Sequence, residues 1–231
     1  MKRLLLFLLL YPSVWAAVSH TNGGYATGTG TAVATSSFTP VSGRQYLFVS
    51  ECYDTSGTPA SVTFTATGWS FTVVHPLDGN ANTGFAGTVR AYAPNATPVV
   101  VTATWSQTCT FLEIVYDEFS GGDPTNFVDQ ATSVITGTTG SCTQTVTPGV
   151  ADAMLWAFCA DTVTAAGSGY TAGQNNGNGD WTEYKLLSGG SGVAQTVPFT
   201  GASGYWLQAT VTIKPDTGAA ASVRKRVMVK R

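Results

Sequence analysis

Short stretches in which apolar and polar residues alternate follow one another along the chain, and Gly, Pro and Asn separate them. Such alternation predicts half-buried β-strands, and no window of about ten residues has the 3.6-residue apolar period of a helix. The longest run rich in β-branched and aromatic residues spans 109–122, CTFLEIVYDEFSGG. We therefore expect an all-β fold, a jelly-roll-like β-sandwich of about a dozen short antiparallel strands, with 109–122 as its central strand.

The remaining strands are assigned from the same pattern, and the segments between them are assigned as turns or loops. A loose entry segment is expected over 18–30, a loop over 76–84, a Pro-containing turn over 121–126 and a long irregular region over 161–180. The predicted strands cover 31–38, 45–53, 61–67, 69–75, 88–93, 98–105, 109–122, 128–135, 141–147, 153–160, 181–187, 192–199 and 205–213.

The two ends of the chain differ in character from the body. Residues 1–16 begin with Lys2 and Arg3, continue as an apolar run and end with small residues at Val14 and Ala16, which is the layout of a signal peptide. The alternative is an uncleaved N-terminal anchor. We expect one β-sandwich domain over 17–214, in a secreted, extracellular protein, followed by a basic, disordered tail over 215–231.

Four cysteines follow the predicted leader: Cys52, Cys109, Cys142 and Cys159. An even count in a chain directed to an oxidising compartment predicts two disulfides, for which three pairings exist. The pairing Cys52–Cys109 with Cys142–Cys159 is favoured because the second pair flanks one predicted hairpin. Without a Cys-x-x-Cys motif or a Cys/His cluster, the spacing does not suggest a zinc site.

Charge is scarce and unevenly placed. Only 10% of the residues are charged, against about 25% in an average protein, so Thr, Ser, Gly, Asn and Gln must form much of the surface. Residues 17–214 hold twelve acidic and four basic side chains, whereas the tail is basic. An acidic body argues against nucleic acid as a partner, and no later segment has the length of a membrane span.

A resemblance adds to this picture. The stretch 118–129, EFSGGDPTNFVD, resembles a recurring pattern of secreted bacterial β-sandwich domains, in which a strand ending in Glu-aromatic-Ser-Gly precedes an Asp-Pro-x-Asn turn. The segments GSGY at 167–170 and DWTEY at 180–184 are also similar. The resemblance implies a jelly-roll-like fold in secreted or cell-surface proteins and no settled catalytic residues. The pair Gly121-Gly122 lengthens the turn relative to that pattern.

The central strand carries three acids that are candidates for catalysis: Glu113, Asp117 and Glu118. Alternation places Glu113 and Asp117 on one face with Cys109, and Glu118 on the other. Paired carboxylates hydrolyse glycosidic bonds, and the run EIVYDE resembles the Glu-Ile-Asp-x-x-Glu motif of laminarinase-like enzymes, except that Val115 stands at its middle Asp. The alternative is a scaffold role, in which Asp117 and Glu118 bind turn amides and Glu113 pairs with an arginine such as Arg90.

Two polar loops offer the oxygen ligands that calcium prefers. The first is 78–82, DGNAN, and the second is 176–180, NGNGD, followed by Glu183. The second is favoured, and its candidate ligands are Asn176, Asn178, Asp180 and Glu183. The alternative is that Asn, Gly and Asp serve the turns themselves.

The second loop also stands beside aromatic residues. Sugars are bound by aromatic faces together with amides and carboxylates that fix their orientation. The candidate ligand-binding residues are Tyr170, Asn175, Asn178, Asp180, Trp181 and Tyr184. In the alternative interpretation, Trp181 joins the other tryptophans in the core.

Three functions follow from these observations. The first is a secreted, non-catalytic β-sandwich that binds carbohydrate or a cell-surface partner. The second is a glycoside hydrolase that acts on a β-glucan with Glu113 and Asp117 or Glu118. The third is a structural protein that self-associates into a surface layer or filament through exposed strand edges.

Overall fold

The computed structural model of the chain describes residues 17–53, 57–80, 82–138, 140–160, 162–201 and 204–217. These residues form fifteen β-strands and no helix, so the all-β prediction is confirmed. The predicted signal peptide and most of the predicted tail, residues 218–231, lie outside the described residues. In the described part of the chain, no helix has the length and apolar character needed to cross a membrane.

The strands are short except for two long ones, which lie side by side. Their bounds are β1 (Ser19–Ala34), β2 (Gln45–Tyr53), β3 (Val62–Thr65), β4 (Phe71–Asn80), β5 (Gly84–Tyr92), β6 (Thr102–Ser120), β7 (Val128–Ala131), β8 (Ile135–Gly137), β9 (Thr143–Val146), β10 (Met154–Ala160), β11 (Ala165–Ala166), β12 (Thr171–Asn175), β13 (Trp181–Leu186), β14 (Gln195–Thr200) and β15 (Trp206–Ile213).

The strands form two six-stranded antiparallel sheets and one small sheet. The first sheet has the order β1-β6-β2-β5-β4, with β3 paired to β6. The second has the order β12-β13-β10-β15-β7, with β8 paired to β15, and the small sheet has the order β11-β14-β9. The first and second sheets pack face to face, so the β-sandwich is confirmed; the jelly-roll connectivity stays a prediction.

Buried side chains fill the space between the two large sheets. Val49 and Val115 project from the first sheet toward Trp156 and Phe158 of the second. The outer faces are covered as well: Phe38 and Trp69 pack on the first sheet, and the small sheet covers the second. Burial on both faces explains why β2, β10 and β15 are almost wholly buried in place of the half-buried pattern of a two-layer sandwich.

Several predicted boundaries were wrong. The predicted strand 109–122 forms the second part of β6, which ends at Ser120 and also includes half of the predicted strand 98–105. Residues 18–30 are not a loose segment, because β1 pairs with β6 along most of its length. β4 continues through much of the predicted 76–84 loop, and β11 and β12 lie inside the predicted irregular region.

The covalent links agree with the prediction. Cys52 is bonded to Cys109, which joins β2 to β6, and Cys142 is bonded to Cys159 of β10. Cys109 does not share the face of Glu113, however. It packs with Leu112 and Ile114, since the pairing of β1 with β6 shifts register near this point.

The turn after β6 has the predicted chemistry. Gly121 adopts a φ of 71°, and the Oδ1 atom of Asp123 accepts hydrogen bonds from the backbone N–H groups of Thr125 and Asn126. Strand-like pairing extends slightly past the predicted domain end at 214, because the backbone N–H of Asp216 donates to the carbonyl of Gly121.

Candidate functional site

Two buried glutamates face each other across neighbouring strands. Glu51 in β2 is the register partner of Glu113 in β6, and the next pair on the same face, Val49 and Val115, lies in the core between the sheets. Glu51 is 5% exposed and Glu113 is 0% exposed. Since like charges directly opposite each other destabilise a sheet, this pair requires a compensating group.

A third acid reaches the pair from the second sheet. Asp180 precedes β13 and is 6% exposed. One carboxylate oxygen from each of Glu51, Glu113 and Asp180 lies within 4.8 Å of the other two. We call these three residues the acid cluster. It joins β2 and β6 of the first sheet to the loop that enters β13.

The loop before β13 is shaped by one asparagine side chain. The Oδ1 atom of Asn176 accepts hydrogen bonds from the backbone N–H groups of Asn178 and Asp180, at 2.7 and 3.3 Å. Its Nδ2 atom donates to Glu113 and, at 2.5 Å, to the Oδ2 atom of Asp180. Asn176 therefore folds the loop and holds the carboxylates of Glu113 and Asp180 together.

A close backbone approach confines Glu51. Gly84 adopts a φ of +82°, and a Cβ atom at this position would lie 2.6 Å from the Oε1 atom of Glu51. Glycine leaves the room that the carboxylate of Glu51 needs, in a backbone conformation that other residues rarely adopt.

The electrostatics of the cluster disfavour three charged acids. Burial raises the pKa of Glu113 well above its usual range, the negative charge of Asp180 raises it further, and the hydrogen bond from Asn176 lowers it. A hydrogen-bonding contact between the carboxyl groups of Glu113 and Asp180 also raises the pKa of Glu113. The Oε1 atom of Glu113 accepts no hydrogen bond from any described residue. A proton or a cation is therefore needed to stabilise the cluster.

A cavity of about 560 Å³ opens beside the acid cluster. Glu51 and Asp180 border it, whereas Glu113 does not. Its other side chains are aromatic or neutral and polar. Tyr53 is 39% exposed and Tyr205 is 50% exposed. The complete lining is Glu51, Tyr53, Asn82, Thr83, Phe111, Asn178, Asp180, Gly204 and Tyr205. Its volume is within the range of small-molecule sites.

Of the predicted ligand-binding residues, only Asn178 and Asp180 line this cavity. Tyr170 and Trp181 are half-buried against the core beneath the small sheet, and the hydroxyl of Tyr170 donates to the carbonyl of Thr196. Tyr184 packs on the opposite face of the second sheet, in the core between the large sheets. The three aromatic rings do not form one surface.

The predicted polar ligands Asn175 and Glu183 accept hydrogen bonds from backbone N–H groups. The side chain of Asn175 accepts a hydrogen bond from the N–H of Gly177. The predicted cation ligand Glu183 lies outside the acid cluster: its Oε2 atom accepts from the N–H of Gly167 at 2.6 Å, and burial raises its pKa to about 7. Asn176 and Asp180 do meet at one site, together with the predicted catalytic residue Glu113.

Asp117 is a fully buried acid with complete hydrogen bonding. It accepts from the indole N–H of Trp156 at 2.7 Å and from Gln174 at 3.3 Å, and it lies 2.6 Å from the Nε2 atom of His20. These partners are side chains and not the turn amides that the scaffold interpretation proposed. Asp117 thus links the two sheets and does not border the cavity.

Glu118 points to the other face of β6. It accepts hydrogen bonds from the hydroxyls of Tyr46 and Thr21, and Arg44 lies 3.6 Å away. Arg90 does not pair with Glu113, as the scaffold interpretation suggested, but donates to the carbonyl of Thr125 at 3.5 Å. The prediction that Glu113 and Glu118 lie on opposite faces is therefore confirmed, whereas the predicted partner of Glu113 was wrong.

The first polar loop, 78–82, consists of the last three residues of β4 and part of the connection to β5. The Oδ1 atom of Asp78 accepts from the N–H of Gly79, and that of Asn80 accepts from the N–H groups of Asn82 and Thr83. Ala81 lies outside the described residues. Turn chemistry accounts for Asp78 and Asn80, while Asn82 and Thr83 border the cavity.

Sequence reasoning missed Glu51 and the aromatic residues of the cavity, Tyr53, Phe111 and Tyr205. Glu51 did leave a signal: it alternates with Leu47 and Val49 in the apolar strand QYLFVSECY. A carboxylate on the buried face of such a strand is rare without a partner. The aromatic residues left none, because they come from three separate places: the end of β2, the middle of β6 and the position before β15.

No protein-family model, no curated protein and no solved structure matches this chain. Its function is therefore inferred from the site alone.

Proposed function

We propose that this protein is an extracellular, non-catalytic β-sandwich that binds carbohydrate in the cavity beside the acid cluster. The observation that supports this most strongly is the composition of the cavity wall. Two exposed tyrosine rings, Tyr53 and Tyr205, border the same space as the amides of Asn82 and Asn178. Sugars present apolar ring faces and hydroxyl groups, so a site for them needs both kinds of surface.

The acids of the wall suit the same ligand. Glu51 and Asp180 border the cavity and can accept hydrogen bonds from sugar hydroxyl groups. Both are almost buried, and hydrogen bonds to charged acceptors are stronger than those between neutral groups. We expect these acids to fix the orientation of the sugar ring, while the aromatic residues provide most of the contact area.

An extracellular location is supported by the covalent structure. Two disulfides within the described residues are compatible with an oxidising compartment. The leader-like residues 1–16 and the low content of charged residues favour secretion as well.

A binding assay with matched tyrosine variants tests the proposal. The purified secreted protein is applied to a glycan array and to insoluble polysaccharides, and the affinity for a retained glycan is then measured. We expect Tyr205→Ala to weaken binding about tenfold or more, because it removes a ring from the cavity. Tyr25→Ala is the control: Tyr25 is 45% exposed but lies on β1, away from the cavity.

Two results would contradict carbohydrate binding in this cavity. One is the absence of retention on every glycan. The other is a loss of affinity in Trp181→Ala or Tyr25→Ala that equals the loss in Tyr205→Ala, since those side chains do not line the cavity.

A glycoside hydrolase is the second candidate, favoured by the spacing of the cavity acids. Oxygens of Glu51 and Asp180 lie within 4.8 Å of each other, and the carboxyl pair of a retaining glycosidase is about 5–5.5 Å apart. Incubation with β-glucans distinguishes the two functions. A hydrolase releases reducing ends and loses this activity in Asp180→Asn, whereas a binding protein releases none.

A further inference from the structure

We propose that the acid cluster is a calcium site in which Glu51, Glu113 and Asp180 bind one ion between the two large sheets. The proposal does not depend on carbohydrate binding, because it is argued from contacts among the acids themselves, although Glu51 and Asp180 also border the cavity.

The placement of the acids is unfavourable without a ligand. Glu51 and Glu113 are cross-strand partners on a buried face, and Asp180 reaches the same point from the opposite sheet. Three carboxylates concentrate negative charge at one point, and water screens it poorly at Glu113, which is fully buried and does not border the cavity. Among the described residues, no lysine or arginine forms an ion pair with Glu113. A divalent cation would remove most of this cost.

An unused acceptor inside the cluster is a second, independent sign of a ligand. Glu113 is 0% exposed, and its Oε2 atom receives the amide of Asn176. Its Oε1 atom has no hydrogen-bond donor among the described residues. Buried oxygens are almost always paired, so an unpaired carboxylate oxygen beside two further acids is suited to a metal ion.

The spacing and the chemistry of the donors favour calcium. Calcium binds oxygens at about 2.3–2.6 Å, so two oxygens on one ion are separated by at most about 5 Å. The three carboxylate oxygens satisfy this condition, because they lie within 4.8 Å of one another. All three donors are hard oxygens, which excludes the nitrogen and sulfur ligands that zinc prefers. Calcium also accepts irregular geometry and leaves coordination positions for water, whereas magnesium requires a near-ideal octahedron.

The surrounding residues fit this assignment. Asn176 donates to both Glu113 and Asp180, so it is a positioning residue that aligns two ligands. Gly84 leaves room for the carboxylate of Glu51. Outer contacts of this kind commonly orient metal ligands. The ion would tie β2 and β6 to the loop before β13, so calcium should stabilise the contact between the two sheets.

Calcium titration of the full secreted protein tests the proposal. The protein is treated with EDTA, dialysed and titrated with calcium chloride in a calorimeter at neutral pH, and its Tm is measured with and without calcium. We expect one ion per chain and a rise in Tm, because an ion that binds only the folded state stabilises it. A parallel titration with magnesium chloride should give weaker binding.

Two isosteric substitutions give a matched comparison. Glu113→Gln removes one charged ligand and should weaken calcium binding by about tenfold or more. Glu183→Gln is the control: Glu183 is equally buried and also has an unpaired Oε1 atom, but it lies outside the cluster. The calcium affinity of the Glu183→Gln variant should equal that of the wild type.

The stability of each variant in EDTA shows whether a loss of calcium binding results from unfolding. In EDTA, Glu113→Gln should be at least as stable as the wild type, because it removes a buried like charge, and calcium should no longer raise its Tm. If Glu113→Gln does not fold, Asp180→Asn replaces it in the same titration. The proposal is overturned if the wild type shows neither heat of binding nor a Tm shift up to about 1 mM calcium. That result is expected if a proton shared between the carboxyl groups, and not a cation, stabilises the cluster. The proposal is also overturned if Glu183→Gln loses as much calcium affinity as Glu113→Gln.

Discussion

At the scale of single residues, the buried acids of the inner face of β6 fall into two kinds. Asp117 has three hydrogen-bonding partners, from β1, β10 and β12. Glu113, four positions earlier on the same face, has one amide partner and an acidic neighbour. A satisfied buried acid stabilises the fold, whereas a cluster of acids destabilises it unless a ligand is bound. Two acidic side chains on one strand therefore have opposite effects on stability.

This difference predicts that removing the carboxylate of Asp117 destabilises the fold. Asp117→Ala leaves the indole N–H of Trp156 without an acceptor in the core, and it should lower the free energy of unfolding by about 3–5 kcal/mol. Asp117→Asn keeps an acceptor oxygen and should cost less. Urea denaturation measures both. A loss below about 1 kcal/mol in Asp117→Ala would show that the buried network contributes little.

At the scale of elements, β6 organises the first sheet, because β1, β2 and β3 all pair with it. The Cys52–Cys109 disulfide fixes β2 against β6 one residue beyond Glu51. Its loop spans 57 positions, whereas the loop of Cys142–Cys159 spans 17. In the chain-entropy description, the longer loop restricts the unfolded chain more strongly.

The two disulfides should therefore contribute unequally. Replacing Cys52 and Cys109 together with alanine should lower the free energy of unfolding by about 4 kcal/mol, and replacing Cys142 and Cys159 by about 3 kcal/mol. Urea denaturation of the two double variants and the wild type measures the difference. The reverse order would mean that strain or residual structure, and not loop length, determines the contribution of each disulfide.

Strands with strong apolar patterns could be predicted from the sequence, and those without could not. The bounds of β2 were predicted correctly, because its residues are buried on both faces. The part of β1 before residue 31 was missed because its Gly- and Thr-rich residues mostly face solvent on an edge strand, where backbone hydrogen bonds to β6 define the strand. The break predicted within β6 was wrong for the same reason: its polar middle is held by the pairing of both ends.

At the scale of the whole molecule, the candidate site is assembled from segments that are far apart in the sequence. The cavity is lined by the hairpin turn at 82–83, the end of β2, the middle of β6, the loop at 178–180 and residues 204–205, just before β15. Local patterns predict strands but not which strand ends meet, so Glu113 and Asp180 were each identified while their contact was not. Antiparallel pairing and sheet packing bring them together only in the folded chain.

Ligand binding in this assembled cavity can be observed directly. A crystal structure of the protein with the best-retained oligosaccharide from the array tests it most directly. We expect electron density for a sugar ring against Tyr53 or Tyr205, within hydrogen-bonding distance of Asp180 or Asn178. Density for the sugar elsewhere, for example beside Tyr170 and Trp181, with none in the cavity, would contradict it.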